Sequence, residues 1–234
     1  MDEKEKISII IPVYNEEKTI AKIIMKLIKT KFPIEREIII VNDGSTDSTE
    51  KILKETIRQI KVREKIRVIS RKNNKGKGHS IKTGLKYATG SIIGIQDADL
   101  EYDPNDYPGL LEPILKKQAK VVYGVRRFNK ENKKNLFYYG NKFLSLVTSL
   151  LYFSWIRDME TGYKVFRREV LDEIKLNSNG FDFEPEVTAK ILKKYKIKEI
   201  PISYTPRSKK EGKKIKIKDG IIAFFTLIKY RFAN

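Results

Sequence analysis

No cysteine occurs anywhere in the 234 residues. Disulfides, thiolate nucleophiles and zinc–thiolate sites are therefore excluded. The N-terminus "MDEKEKISIIIP" lacks the layout of a signal peptide and runs straight into a strand pattern. A cytoplasmic location fits both absences. No internal repeat and no Pro/Ser-rich linker divides the chain. His79 is the only histidine, and it reads as a helix-start residue with no assigned role. Negative charge is in the minority: 30 acidic residues face 49 basic ones, a net charge of +19. Such an excess suits a polyanionic partner, namely nucleic acid, an anionic membrane surface or phosphorylated ligands. A general lysine bias would give the same count. Hydrophobic residues at 40% and charged residues at 34% exclude a disordered chain.

What is present alternates. Short apolar strands ("ISIIIPV", "EIIIV", "IRVIS", "SIIGI", "KVVYG") are separated by segments with helical spacing over the first 125 residues. Asp47 followed by Glu50 has capping-box spacing. Strands this apolar predict an α/β fold, a mostly parallel sheet with helices on both faces. Ligands of such sheets sit at the strands' carboxyl ends. There lie "PVYNEE", "VNDGSTD", "SRKNNKGKG", "QDADLEYD" and "GVRR". After residue 130, "NLFYYGNKFLSLVTSLLYFSW" is interrupted by Asn141, Lys142, Ser145, Thr148 and Ser149, too polar for a clean membrane span. Phe143, Leu146, Val147, Leu150 and Leu151 fall on one helical stripe, which suits either an interfacial helix or a core helix.

In "SIIGIQDADLEYDP" an apolar strand runs into Asp97, Asp99, Glu101 and Asp103. Alternate residues of an extended chain point the same way, so these carboxylates crowd and repel. A calcium loop fails, because Tyr102 and Pro108 stand where glycine and glutamate are needed. Helix capping accounts for Asp103 and Asp106 but not for Asp97 and Asp99. No lysine or arginine is adjacent. The pattern therefore predicts a hard divalent cation, Mg²⁺ in particular, held by carboxylates and substrate phosphates. Gly76 and Gly78 around Lys77, just before a helix, can bring backbone N–H groups and an ammonium to a phosphate.

Together "IIIPVYNEEKTI", "VNDGSTD", "NKGKG", "DAD", "DMETGYKVFRRE", "GFDFEPEVTAKI" and "PISYTPRSKKEGKKI" resemble the family-2 glycosyltransferases of GT-A fold, in the branch similar to dolichol-phosphate mannose synthase. The resemblance covers nearly the whole chain. It implies a Rossmann-like glycosyltransferase domain over residues 1–205, then a basic mobile loop and an amphipathic, interfacial C-terminal helix over 206–234. It implies an inverting, metal-dependent transfer from a nucleotide-sugar donor (GDP-mannose or UDP-glucose type) to a polyprenyl or dolichyl phosphate, with Mg²⁺ or Mn²⁺ as cofactor. Pro12, Tyr14 and Glu16 match positions contacting the nucleotide, and Asp43 matches the acid that hydrogen-bonds the base. Asp97 and Asp99 match the metal-binding pair, with Ala98 offering backbone contacts and Glu101 standing where a further ligand, commonly glutamine, is found. Arg126 matches an arginine near the sugar phosphate. Arg207 and Lys213 match a basic pair closing over the phosphates.

Asp99, Arg126, Arg207 and Lys213 are thus the expected catalytic groups. A phosphate acceptor needs no general base. A hydroxyl acceptor, the alternative, would need Asp182, Glu184 or Glu186 to take its proton; the competing role of these acids is at a helix start. The expected setting is peripheral, on the inner face of the cell membrane, with no transmembrane span and with a homodimer as one expected assembly. No nucleic-acid partner is expected, because the aromatics do not interleave with the basic run.

Overall fold

The computed structural model describes residues 5–60, 65–128, 136–207 and 216–233. Among these residues seven strands form one sheet: β1 (Lys6–Val13), β2 (Glu35–Asp43), β3 (Lys65–Arg71), β4 (Ile92–Ile95), β5 (Val121–Arg126), β6 (Lys164–Arg167) and β7 (Lys198–Ile202). Their order is β3-β2-β1-β4-β6-β5-β7. Every pairing is parallel except those of β6, which runs antiparallel to both β4 and β5. The other six strands therefore deliver their carboxyl ends to one rim. β6 contributes its amino end, and hence the loop before it, to that same rim.

Eight helices accompany the sheet among the described residues: α1 (Ile20–Lys29), α2 (Thr49–Gln59), α3 (Lys77–Tyr87), α4 (Tyr107–Leu115), α5 (Leu136–Tyr152), α6 (Arg168–Asp172), α7 (Phe183–Leu192) and α8 (Ile217–Phe232). The inner strands are apolar where both faces are covered, whereas the edge strands β3 and β7 keep exposed residues such as Arg67 and Lys198. On β1, Ile7, Ile9 and Ile11 pack with Ile20, Ile23, Leu53 and Leu110 of α1, α2 and α4. Ile10 points the other way and joins Ile81 and Val187 of α3 and α7. Asp103 starts the turn before α4, accepting from Asn105 N at 3.0 Å. The capping box expected from Asp47 and Glu50 is not formed. α2 begins one residue later, after Ser48. Asp47 instead joins two rim loops, accepting from Thr49 N at 3.0 Å and Glu17 N at 3.2 Å.

α5 has a mixed inner face, where Leu144 and Tyr152 are buried beside polar residues, and an apolar outer one. Its buried face carries Asn141, Ser145 and Thr148. Asn141 Nδ2 donates to Asp158 at 2.9 Å, Ser145 Oγ accepts from Met159 N at 3.1 Å, and Thr148 Oγ1 donates to Leu144 O at 2.8 Å. Of the stripe read from the sequence, Phe143, Leu146 and Leu150 are exposed, while Val147 and Leu151 are partly buried. Tyr139, Phe153 (87% exposed) and Trp155 (76%) extend this outer face. α8 packs beside α5 through Ala223, Leu227 and Tyr230 and adds the exposed Ile221 and Phe225. The rings of Phe143 and Phe224 stack at 6.1 Å, which joins the two helices into one apolar surface. No described helix is long and apolar enough to cross a membrane.

α3 lies close against β1 because residue 84 has no side chain: a Cβ there would meet Ile10 Cγ2 at 2.5 Å. Gly84→Ala gains about 1 kcal/mol of helix propensity but forces an overpacked contact costing about 1–3 kcal/mol. We expect a net loss of stability, read as a lower urea midpoint with an unchanged slope.

Candidate active site

The rim has two ends of different character. At one end Asp43, buried at the tip of β2, accepts from Lys75 N at 3.0 Å and Gly76 N at 2.7 Å, and pairs with Arg71 at 2.6 Å. Arg71 also donates to Ser80 Oγ at 2.6 Å and Thr83 Oγ1 at 3.2 Å, and it touches His79. Burial and then Arg71 hold the His79 pKa below its ordinary value. Asp43 thus clamps the glycine loop onto the sheet. Gly76 sits at φ +98, a left-handed conformation that favours glycine, and its backbone lies against Asn179. Asn15 ties the β1 and β2 loops together, its N donating to Ser45 Oγ at 3.0 Å and its Oδ1 accepting from Thr46 N at 2.8 Å. Pro12 and Tyr14 lie half-buried beside this end.

At the other end the crowded carboxylates are not bare. Lys77 places its ammonium 2.7 Å from Asp97 and 2.7 Å from Glu184. Burial lowers the Lys77 pKa, but the two carboxylates more than reverse this and hold it well above its ordinary value. Arg207 places Nη2 2.9 Å from Asp99 and Nη1 3.1 Å from Glu16. Its backbone N donates to Glu101 at 2.8 Å, and Tyr204 OH donates to the other Glu101 oxygen at 3.0 Å. The positive charge expected from outside the chain is therefore supplied here by two residues distant in sequence. This corrects the reading that nothing in the chain neutralises Asp97 and Asp99. Burial, then the neighbouring Asp97 and Glu101, still push Asp99 up to about 7 against the pull of Arg207.

Asp97, Asp99 and Glu101 do not converge as one metal-ligand group in this conformation; among the described residues no three histidine, cysteine or acidic side chains do. Asp97 faces Lys77, whereas Asp99, Glu101 and Glu16 gather around one guanidinium. Their all-oxygen donor chemistry is that of a hard divalent ion's ligands, while their spacing in this conformation is set by the guanidinium. Ala98 is buried between the two aspartates. Gly162 presses against Asp97, where a Cβ would collide with its carboxylate. Lys213 lies outside the described residues.

The loop before β6 holds site residues to which the sequence reading assigned no role. Asp158 takes Arg126 through Nε at 2.8 Å, Nη2 at 2.7 Å and backbone N at 3.0 Å. The Arg126 guanidinium also lies over the rings of Tyr204 and Phe128. Glu160 is pushed up to about 7 by burial and then by Glu184. Lys164 is lowered to about 8, chiefly by burial. Among the described residues, Glu160 Oε1 and Glu184 Oε2 are buried without a hydrogen-bond partner. Of the three acids at the start of α7, Glu184 alone joins this site through Lys77. Asp182 accepts from Gly180 N at 2.9 Å, and Glu186 accepts from Asn177 N at 2.8 Å and Ser178 N at 2.6 Å. The signals that could have drawn attention to Asp158 and Glu160 are the place of "DMETGYKVFRRE" among the motifs of the resemblance and its position as a loop leading into a strand.

A sheet of this topology, with acids after β4 and cations converging on them from neighbouring loops, defines a glycosyltransferase of GT-A architecture. The match to solved structures supports the fold: glucosyl-3-phosphoglycerate synthase from Mycobacterium tuberculosis, solved with Mn²⁺ and UDP, superposes with a TM-score of 0.75 over 97% of this chain and 80% of that one, at 20% identity. The family model described as Glycosyl transferase family 2 matches residues 8–175, and the chain belongs to that family. Among its relatives is the UDP-N-acetylglucosamine–dolichyl-phosphate N-acetylglucosaminyltransferase of Methanococcus voltae, 32% identical over 95% of this chain and 94% of that protein. Another is the dolichol-phosphate mannosyltransferase of Pyrococcus furiosus, 29% identical over 89% of this chain and 59% of that protein. The protein is a family-2 glycosyltransferase related to the polyprenyl-phosphate transferases.

Two outcomes test the electrostatics. Asp158→Ala leaves the Arg126 charge buried without its partner, which costs about 3–5 kcal/mol in such settings, measurable by denaturant unfolding. Glu160 titrates near 7 in the folded protein against an ordinary value of 4.5. The folded state therefore holds the extra proton in that window, and stability falls as pH rises through it. Glu160→Gln should gain in thermal midpoint relative to the parent as pH goes from 5 to 8; a constant gap would refute the assignment.

Proposed function

We propose that the protein transfers a hexose from a nucleotide sugar to a polyprenyl phosphate at a membrane surface, with a divalent metal bound by Asp99 and Glu101 and joined by Asp97. The observation that carries the membrane and lipid part is the exposed apolar face of α5, which with that of α8 and the turn after α5 presents Phe143, Leu146, Leu150, Phe153, Trp155 and Phe225. An apolar surface of this extent suits an interfacial bilayer contact. The sequence's lysine excess adds attraction to anionic lipid.

The nucleotide base and ribose lie along the Pro12–Tyr14 and Asp43 end in this reading. Asp43 acts there mainly by fixing the loop. The metal, when bound, neutralises charge on the departing nucleoside diphosphate. Arg126, held in place by Asp158, offers a fixed guanidinium toward the phosphates. Arg207 and Lys213 supply further cationic charge. A phosphate oxygen of the acceptor attacks the anomeric carbon as the bond to the diphosphate breaks, with inversion. That oxygen is already anionic, so no side chain must take a proton. The engagement of Asp182 and Glu186 in backbone hydrogen bonds agrees with this. The unpartnered oxygen of Glu184 favours the second reading, a hydroxyl acceptor with Glu184 as base.

The names of the relatives make UDP-N-acetylglucosamine and GDP-mannose the first donors to try. Purified protein, a labelled donor and dolichyl phosphate in anionic mixed micelles should give a chloroform-soluble, acid-labile glycolipid. EDTA or Asp99→Asn should abolish it, and Glu184→Gln should lower turnover by less than tenfold. Transfer only to saccharide hydroxyls, with Glu184→Gln inactive, would establish the second reading instead.

A further inference from the structure

We propose that Arg207 is the resident cation of the metal-binding carboxylates, and that a divalent ion and a nucleoside diphosphate bind cooperatively because together they displace it. The inference rests on the metal-dependent reading above and adds the device by which metal and donor are linked.

The geometry is that of one cation serving three carboxylates from two loops. Nη1 lies 3.1 and 3.3 Å from the two Glu16 oxygens, and Nη2 lies 2.9 Å from Asp99. Nε lies 3.8 Å from Glu101, too far for a hydrogen bond. It is buried and has no partner among the described residues. The contact is therefore favourable in charge and incomplete in hydrogen bonding. A guanidinium needs its acceptors in its own plane, whereas a spherical ion accepts oxygens from any direction. Asp99 and Glu101, the two of these carboxylates assigned to the metal, face no such planar constraint with a spherical ion.

The two occupants exclude one another. A divalent ion on the Asp99 oxygen now held by Nη2 would sit within contact distance of a like charge in a partly buried site, where screening is weak. The side chain must leave, and its path is short. The Arg207 backbone stays anchored to Glu101 through its N–H at 2.8 Å, so only side-chain torsions need change. Metal alone evicts the guanidinium and gives it nothing in return. A diphosphate bound beside the metal offers two or more anionic oxygens to which the released fork can bind bidentately. Arg207 thus opposes metal alone and favours metal with diphosphate, a positive coupling between two ligands through one side chain. Lys77 makes no such exchange at Asp99: it lies at a helix start and serves Asp97 and Glu184.

The test is direct binding of Mn²⁺, followed by the loss of the free-ion electron paramagnetic resonance signal, with and without UDP or GDP. The titrations are corrected for the Mn²⁺–nucleotide complex formed in buffer. Wild type, Arg207→Gln and Arg207→Lys are compared, with Asp99→Asn as the site control and thermal unfolding as the check on folding. Wild type should bind Mn²⁺ weakly alone and at least tenfold more tightly with diphosphate. Arg207→Gln should bind Mn²⁺ alone at least tenfold more tightly than wild type and lose most of the coupling. Arg207→Lys, which keeps the charge without the fork, should fall between them. If Arg207→Gln binds Mn²⁺ alone no better than wild type while both bind it with diphosphate, the exchange is overturned and metal dependence stands. If no protein binds Mn²⁺ under any condition, the metal reading itself fails and this one with it.

Discussion

Everything at the rim depends on neutralising the carboxylates that follow β4. Asp97, Asp99 and Glu101 stand on alternate residues in a site shielded from water, and their mutual repulsion has to be met by nearby positive charge. Lys77, at the start of α3, answers Asp97. Arg207, beyond β7, answers Asp99. These two ion pairs bring the glycine loop, the acidic loop and the segment after β7 together across the mouth of the sheet. Arg126 and Asp158 do the same for β5 and the loop before β6. The cleft is thereby lined by alternating charges, each held in place by one of opposite sign.

The two ends of the cleft differ in how complete they are. Around Asp43 the carboxylate is satisfied and the loop geometry is fixed by backbone hydrogen bonds, and Arg71 Nε is the buried atom left without a partner there among the described residues. Around Glu160, Glu184 and Arg207, buried atoms remain without partners. Unmet hydrogen-bonding capacity in a buried place is costly. A site that keeps it is ready for a ligand able to supply what is missing.

Much of this was legible in the sequence. The apolar strands and their polar ends gave the sheet, the rim and the acidic loop, because those signals are local: side-chain periodicity and turn chemistry act over a few residues. Charge pairing across 20 residues, as between Lys77 and Asp97, or across 108, as between Asp99 and Arg207, leaves no local mark. That is why the carboxylates looked unaccompanied. The reversed direction of β6 was equally hidden, since "KVFR" reads alike in either orientation. The stripe on α5 was found, but which way it faced was not. Hydrophobic periodicity reports that two faces differ, and only the structure reveals that Asn141, Ser145 and Thr148 lie inside beside Leu144 and Tyr152 while Phe143, Leu146 and Leu150 face out.

The polar groups on the inner face of α5 affect how the protein tolerates its surroundings. Most helices are fastened by apolar burial, which weakens on cooling and which detergents replace. α5 is fastened in two ways: Leu144 and Tyr152 pack against Leu227 and Tyr230 of α8, and Asn141 and Ser145 bond to Asp158 and Met159. An amphiphile can coat the outer face of this helix without competing for the contacts that hold its inner one. The hydrogen-bonded part of this attachment should withstand mild detergent and low temperature, whereas dilute aqueous buffer leaves the outer face uncovered and prone to self-association.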